Sequence, residues 1–270
     1  MRKLANLSIL VIVSLMGCLA VLAPAFCNAA ALESNIEPRV TQIEAPKNVL
    51  FIGNSFTFFN DHVGVHFYLL TIESDKPNAK SYIFGAMTIP GAHLSDHVYG
   101  IQAIADPFNK KTNLSRKWDI VVLQGHSQEP IDSKKSDEFK ATARDFDMII
   151  RNSGAKTAFF MTWGYGDNPE DMTRQLRNAY TQIGNELNAL VVPVGLAFER
   201  ALKERPGAAM FKWDKKHPSL MGTYLAACVF YSAFYNRSPV GNKYTAGLDK
   251  TDAEFLQNVA WNSVKGFYGR

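Results

Sequence analysis

Asn48-Val49-Leu50-Phe51-Ile52-Gly53-Asn54-Ser55-Phe56-Thr57 is the stretch that decides the fold. Its first five residues form a short, largely apolar run of the kind that makes a buried strand, and Gly53 ends it. From Phe58 to Ile72 apolar residues recur at near-helical spacing until Lys76-Pro77 stops them. A buried strand thus feeds a helix through a sharp turn, and the turn carries a serine.

Working outward, the same alternation repeats. Residues 81–84 predict a weaker second strand, and residues 92–104 a helix weakened by Gly100. Asp119-Ile120-Val121-Val122-Leu123-Gln124 is the clearest strand, filled with branched residues and closed by Gly125. So continuous an apolar run suits a parallel sheet covered on both faces. Helices are predicted over 136–151, 169–187, from 196 to Arg205-Pro206, 220–234 and 252–267, with strands over 157–162 and 190–194. Strands alternating with helices of this length predict βαβ units and a three-layer α/β/α sandwich with a mainly parallel central sheet. Ligands bind at the carboxyl edge of such a sheet. The segments to inspect are therefore residues 53–57, 86–91, 125–128, 163–168 and the late loop near Asp214.

The N-terminus reads as an export signal. Arg2 and Lys3 precede an apolar run from Leu4 to Phe26, and Cys27-Asn28-Ala29 offers small residues where a signal peptidase reads. Cleavage is expected after Ala29, giving a periplasmic or extracellular protein with no stable membrane insertion. Two alternatives stand beside it: a retained membrane anchor, and a lipoprotein, since Leu15-Met16-Gly17-Cys18 loosely resembles a lipobox. Pro24-Ala25 favours cleavage, and the apolar residues continue past Cys18, where a lipoprotein usually turns polar. Residues 30–47 read as a lead-in and 48–270 as one domain. Loss of Arg2 and Lys3 lowers the formal net charge from +4 to +2, and there is no concentrated basic patch, so nucleic acid is not implied as a partner. Cys228 is then the one remaining cysteine, which rules out an internal disulfide and reads as a buried small hydrophobe.

Two segments can carry chemistry. Ser55 sits where a strand turns into a helix, exposed above the sheet, with backbone N–H groups at the helix start able to hold a developing negative charge. The plainer reading is a helix cap made by Ser55 or Thr57. No Gly-Lys-Ser follows, so the turn is not a Walker A loop, and no dinucleotide fingerprint is present. The second segment is Trp213-Asp214-Lys215-Lys216-His217-Pro218-Ser219. A spacing of three lets the Asp214 carboxylate orient the His217 ring and support its charge while the ring takes a proton from serine. Its plainer reading is a polar loop before a helix.

Together these segments resemble the SGNH (GDSL-like) hydrolases, over nearly the whole mature chain from Val49 to the late helix. The resemblance implies a flavodoxin-like SGNH hydrolase fold. That family places its nucleophile in a Gly-Asp-Ser-like motif after the first strand, matched here by Gly53-Asn54-Ser55-Phe56-Thr57, and an Asp-x-x-His motif near the C-terminus, matched by Asp214 to His217. Its second block supplies a glycine whose N–H points into the oxyanion hole, and Gly91 in Ile89-Pro90-Gly91-Ala92-His93-Leu94 matches it. The third block departs. The family usually has Gly-x-Asn-Asp with a donating asparagine, whereas this chain has Leu123-Gln124-Gly125-His126-Ser127-Gln128-Glu129. Gln124 or Gln128 could supply the amide on a longer arm, and the sequence leaves the two open.

Asn54, His93, His126, Trp163 and Tyr165 are further candidates for substrate contact. His93 lies two residues beyond Gly91, His126 follows a strand end, and Trp163-Gly164-Tyr165-Gly166 can stack on a sugar or line an acyl pocket, the plainer reading being a loop that packs against its own sheet. The pairs His62/His66 and His93/His97, each four apart, lack the His-Glu-x-x-His arrangement of a zinc hydrolase, so structural or surface roles are favoured over a metal. The expected function is hydrolysis of a carboxylic ester through an acyl-enzyme, with no metal or organic cofactor, on a small-molecule or carbohydrate ester such as an O-acetylated sugar. The alternatives are acyl transfer to a sugar acceptor and a carbohydrate-binding relative that no longer catalyses.

Overall fold

Strand β1 (Asn48–Gly53) is buried from Val49 onward because it is paired on both sides and covered on both faces. In the computed structural model, which describes residues 34–105 and 117–270, it pairs in parallel with β2 (Ile83–Thr88) and with β3 (Ile120–Leu123). β4 (Lys156–Phe160) and β5 (Leu190–Val192) extend the sheet to the order β2-β1-β3-β4-β5, every neighbouring pair parallel. Residues 35–270 form one compact unit. The segment expected to be a signal peptide, with its expected cleavage at Ala29, and Cys18 and Cys27 lie outside the described residues.

This order makes the crossover after β1 run one way across the sheet and the next three run the other. With right-handed connections, α2 (Val63–Ser74) falls on one face and α3 (Val98–Ala105), α4 (Ser136–Asn152) and α5 (Pro169–Glu186) on the other. α6 (Val194–Glu204), α7 (Leu220–Tyr235) and α8 (Lys250–Tyr268) pack on one another, and α7 packs on α2. The result is a three-layer α/β/α sandwich with a parallel central sheet. The point where strand order reverses lies between β1 and β3, and in open sheets of this kind the loops leaving the carboxyl ends diverge at such a point and leave a crevice.

α7 is the centre of one layer. Every residue from Gly222 to Phe234 is buried, as expected of a helix that is apolar all round. Its Phe230 meets Phe51 of β1 edge-on at 5.0 Å between ring centroids and Phe160 of β4 at 5.1 Å. The same helix starts immediately after His217-Pro218-Ser219, with Ser219 as its cap. The position of the late loop is therefore inherited from the core.

Three elements differ from the sequence expectation. The single helix predicted from Phe58 to Ile72 is two, a short α1 (Ser55–Phe58) and α2. Asn60, Asp61 and His62 between them all take left-handed backbone, with φ of 52, 65 and 78°. The apolar spacing runs on through this break, and spacing does not register backbone dihedrals. The second strand begins at Ile83 and extends to Thr88, because main-chain pairing with Asn48–Gly53 fixes its length where Gly85-Ala86 give little apolar signal. The helix predicted over 92–104 is a 3-10 turn at Leu94–His97 followed by α3.

The Phe51 ring, fully buried among Phe67, Phe84 and Phe230, should be the most expensive strand side chain to remove. Phe51→Ala is expected to lower the unfolding free energy by about 3–5 kcal/mol in a urea titration. A loss below about 1 kcal/mol would mean that this face of the sheet is not packed as described.

Candidate active site

The turn after β1 is held by two buried amides. The Gln124 side-chain carbonyl accepts from the Asn54 N–H at 3.0 Å and from the Thr57 hydroxyl at 2.7 Å. Its NH2 group donates to Asn54 Oδ1 at 2.9 Å and to the Gly125 carbonyl. Asn54 in turn donates to the Ala92 carbonyl at 3.0 Å and caps α1 by accepting from the Phe56 N–H at 3.1 Å. Gly53 must lack a side chain here, since a Cβ would lie 2.5 Å from Gln124 Oε1. Both N–H bonds of the Gln124 amide are thus spent, and this removes Gln124 as an oxyanion donor. Asn54, 2% exposed, binds three loops together instead of contacting substrate.

Around Ser55 the N–H of Asn54 is donated to Gln124, and those of Phe56, Thr57 and Phe58 are donated to Asn54 within the turn. Among the described residues no acceptor takes the N–H of Ser55 or of Gly91. Gly91 is exposed with φ of 68°, in a loop held by the Ile89 N–H to Gly53 carbonyl bond at 3.1 Å and by the Asn54 to Ala92 bond.

The late loop is closed on itself. Phe211 and Pro218 pair across its mouth, and the Lys212 N–H donates to the His217 carbonyl at 2.8 Å. Inside it, Asp214 Oδ1 accepts from the N–H of Lys216 at 3.0 Å and of His217 at 2.9 Å. Asp214 Oδ2 lies 2.6 Å from His217 Nδ1, and His217 Nε2 lies 3.0 Å from the Ser55 hydroxyl oxygen. An ionised carboxylate only accepts, so Nδ1 donates to it and Nε2 of the neutral ring is left to accept from Ser55. Partial burial raises the Asp214 pKa, but the bonds from the His217 ring and the two amides outweigh it and hold the carboxyl at about 2.

Aromatic rings pack around the imidazole. Phe59 lies at 4.6 Å and Phe56 edge-on at 5.6 Å. Trp163 is stacked between Phe56 at 4.5 Å and Phe198 at 4.0 Å, is 1% exposed, and donates from Nε1 to the Lys216 carbonyl at 3.1 Å. It therefore buttresses the late loop from below, where the sequence suggested a substrate contact. Tyr165 is half-buried at the rim, its hydroxyl 2.8 Å from that of Ser127.

His93 and His126 lie side by side, their rings 4.9 Å apart. Burial, then the neighbouring His93 and Lys216, keep His126 below the usual histidine value. Beneath them sits Glu129, which the sequence reading passed over. Its buried carboxylate accepts from the N–H of Leu94 at 3.1 Å and of His126 at 2.8 Å, joining the loops after β2 and β3. Burial raises its pKa, against the lowering effect of these bonds. Gln128 is exposed on the same loop.

The other paired histidines have structural employment. His66 bridges the Asn60 carbonyl at 2.7 Å and the Tyr244 hydroxyl at 2.6 Å, and His62 accepts from the Gly64 N–H at 2.8 Å. His97 is buried beside α3. Among the described residues no group of three or more His, Cys, Asp or Glu is placed to hold a metal ion.

Asn60 is the second residue that the sequence reading missed. Its side-chain NH2 donates to the Pro218 carbonyl at 2.9 Å and to the Thr223 hydroxyl at 2.8 Å. It thereby links the chain just beyond Ser55 to the residue after His217 and to the first turn of α7. Only the Asn60-Asp61 pair, residues that tolerate left-handed backbone, hinted at a turn within the helical pattern.

No protein-family profile and no curated protein sequence matches the chain. Solved structures do. A DUF4886 family protein from Bacteroides uniformis aligns over 80% of this chain and 93% of its own, with a TM-score of 0.58 and 22% identity. A candidate SGNH hydrolase from Slackia heliotrinireducens aligns over 68% and 97%, with 0.53 and 21%. A catalytic mutant of Axe2, an acetylxylan esterase from Geobacillus stearothermophilus, aligns over 72% and 95%, with 0.53 and 20%. At these identities the likeness is one of fold alone, the three-layer α/β/α sandwich with a mainly parallel central sheet, of flavodoxin-like SGNH type.

If Asn60 positions the imidazole against Ser55, Asn60→Ala should slow labelling of Ser55 by a fluorophosphonate about tenfold or more, since misplacement by about 1 Å can cost a hundredfold. The thermal midpoint should fall by only a few degrees, as for loss of about 1 kcal/mol. Unchanged labelling would assign Asn60 a purely structural part.

Proposed function

We propose that the protein is a serine hydrolase that cleaves a carboxylic ester through an acyl-enzyme. One observation carries the reading: His217 Nε2 stands 3.0 Å from the Ser55 hydroxyl while Asp214 holds the other ring nitrogen at 2.6 Å. The ring takes the serine proton as Ser55 Oγ adds to the ester carbonyl. The oxyanion forms against the N–H groups of Ser55 and Gly91, which have no acceptor among the described residues. Gln128, the remaining glutamine of the third block, is the candidate third donor. His217 then gives its proton to the leaving alcohol oxygen as the acyl C–O bond breaks. Water, deprotonated by the same ring, releases the acid and restores Ser55.

His93, His126 and Tyr165 border the crevice and are assigned to the substrate. The acetylxylan esterase likeness supports a short-acyl ester on a carbohydrate. Residues 1–29 are assigned as a secretory signal, 30–47 as a lead-in and 48–270 as the hydrolase domain, which places the reaction outside the cytoplasm. Among the described residues no helix is long and apolar enough to cross a membrane.

The experiment is an ester panel, starting with an activated acetyl ester, offered to wild type, Ser55→Ala and His217→Ala with and without chelator. Turnover is expected in the wild type irrespective of chelator. Ser55→Ala should form no acyl-enzyme, and His217→Ala should lose about three or more decades of rate. Equal rates for wild type and Ser55→Ala would eliminate Ser55 as nucleophile.

Activity should also fall on the acid side along a single limb, because only the neutral ring accepts the serine proton. Asp214 does not contribute to that limb. Its folded value of about 2 lies below the ordinary 3.8, so its support is complete above the ordinary value and is lost only as pH falls towards 2. A second acid limb near pH 4 in a kcat profile would contradict this ordering.

A further inference from the structure

The loop that carries Asp214 and His217 also carries three lysines and a tryptophan that is 92% exposed. The lysines flank the imidazole. Lys212 Nζ sits 4.2 Å from the centroid of Phe59, whose ring lies 4.6 Å from that of His217. On the other side Lys216 Nζ sits 5.0 Å over Tyr165, close enough to His126 to act on its charge. Lys215 between them is exposed and holds left-handed backbone, φ 55°, where glycine or asparagine would be less strained.

These charges are not balanced locally. Among the described residues none of Lys212, Lys215 and Lys216 makes an ion pair with a carboxylate. Of the carboxylates near these residues, Asp214 is spent on His217, Glu129 is buried on backbone N–H groups, and Asp96 accepts from the His93 N–H at 2.8 Å. Two ammonium groups resting on aromatic faces, with a third held out on strained backbone, repel one another and present a positive field at the mouth of the crevice. A nearly fully exposed indole beside them offers a flat apolar face with a polar edge.

We propose that the ester is carried on an acidic saccharide. Its anionic groups, carboxylate or sulfate, meet Lys212 and Lys216, and a pyranose ring lies on Trp213. This rests on the serine-esterase reading for the ester itself and adds the charge and class of the alcohol part. The bonds made and broken are those already given: the acyl C–O bond is cleaved, water supplies the hydroxyl of the released acid, and the sugar oxygen keeps the proton from His217.

The test is binding, which does not depend on turnover. The full chain is titrated with oligogalacturonate, a sulfated oligosaccharide, neutral xylo-oligosaccharide and polyglutamate, followed by calorimetry and tryptophan fluorescence at low salt and at about 0.5 M salt. An acidic glycan should bind about tenfold or more tighter than the neutral one, and the advantage should collapse in salt. The double variant Lys212→Gln/Lys216→Gln should abolish the advantage, and Lys212→Arg/Lys216→Arg should keep it. Preference for the sulfated over the carboxylated glycan supports the proposal and names sulfate as the anion. Equal binding of neutral and acidic glycans, or an undiminished preference in the double glutamine variant, overturns it. Polyglutamate binding as tightly as the glycans, with no effect of Trp213→Ala, overturns the saccharide assignment. If these ligands bind as expected while no ester is hydrolysed, the esterase reading fails and the binding surface stands.

Discussion

The pairing of two buried amides, Gln124 and Asn54, is the constraint on which the crevice depends. Each leaves the carboxyl end of a neighbouring strand, β1 or β3, where the sheet order reverses and the following loops part. Backbone groups at such a point have no strand partner, and a buried polar group left unpaired costs about 1–3 kcal/mol. Gln124 satisfies the Asn54 N–H and the Thr57 hydroxyl with one oxygen, and Asn54 reaches on to the Ala92 carbonyl. Three loops are thereby fixed to one another before any substrate arrives. Removing either amide would strand several partners at once, so the effect of a substitution here extends well beyond the bond that it deletes.

A second set of restraints comes from the opposite layer. α7 is buried along nearly its whole length, so the residues just before it have little freedom. Asn60 reaches from the left-handed segment after α1 to the Pro218 carbonyl and the Thr223 hydroxyl, and His66 holds the Asn60 carbonyl from behind. Three successive left-handed residues that are not glycine cost about 1–2 kcal/mol each, and such strain persists only where surroundings over-determine it. Here the surroundings are the contacts that bring the Ser55 turn and the His217 loop together.

The layers and the parallel sheet were legible because they follow from periodicity, while Ser55, Asp214 and His217 stood out as candidates through a strand-to-helix turn, a three-residue spacing and the resemblance to the SGNH hydrolases. Buried strands announce themselves by apolar runs, and a carboxylate three residues before a histidine can meet it within one loop. What was not legible depends on pairings distant in sequence. Gln124 and Asn54 are 70 residues apart, and Asn60 and Pro218 are 158 apart. Glu129 looked like one polar residue among several, yet it joins two loops from beneath. Trp163 looked available to a sugar, but it is the middle of a stack with Phe56 and Phe198. Composition cannot tell a stacked indole from an exposed one, and Trp213, the tryptophan that does face solvent, sits in a run dominated by lysines.

These restraints divide the site into a local half and an assembled half. Asp214 and His217 belong to one closed loop, and their geometry is fixed by bonds within six residues, from the Lys212 N–H to the His217 carbonyl. The contact between His217 and Ser55 spans 162 residues and exists only because the two layers place both loops at the same sheet edge. The use of the Gln124 amide within the fold follows from the same division. An asparagine one turn further along could face the crevice, whereas an amide directly at the end of β3 is drawn down to satisfy the turn after β1. The donor and the clamp are different uses of the same functional group, and its position along the strand end decides between them.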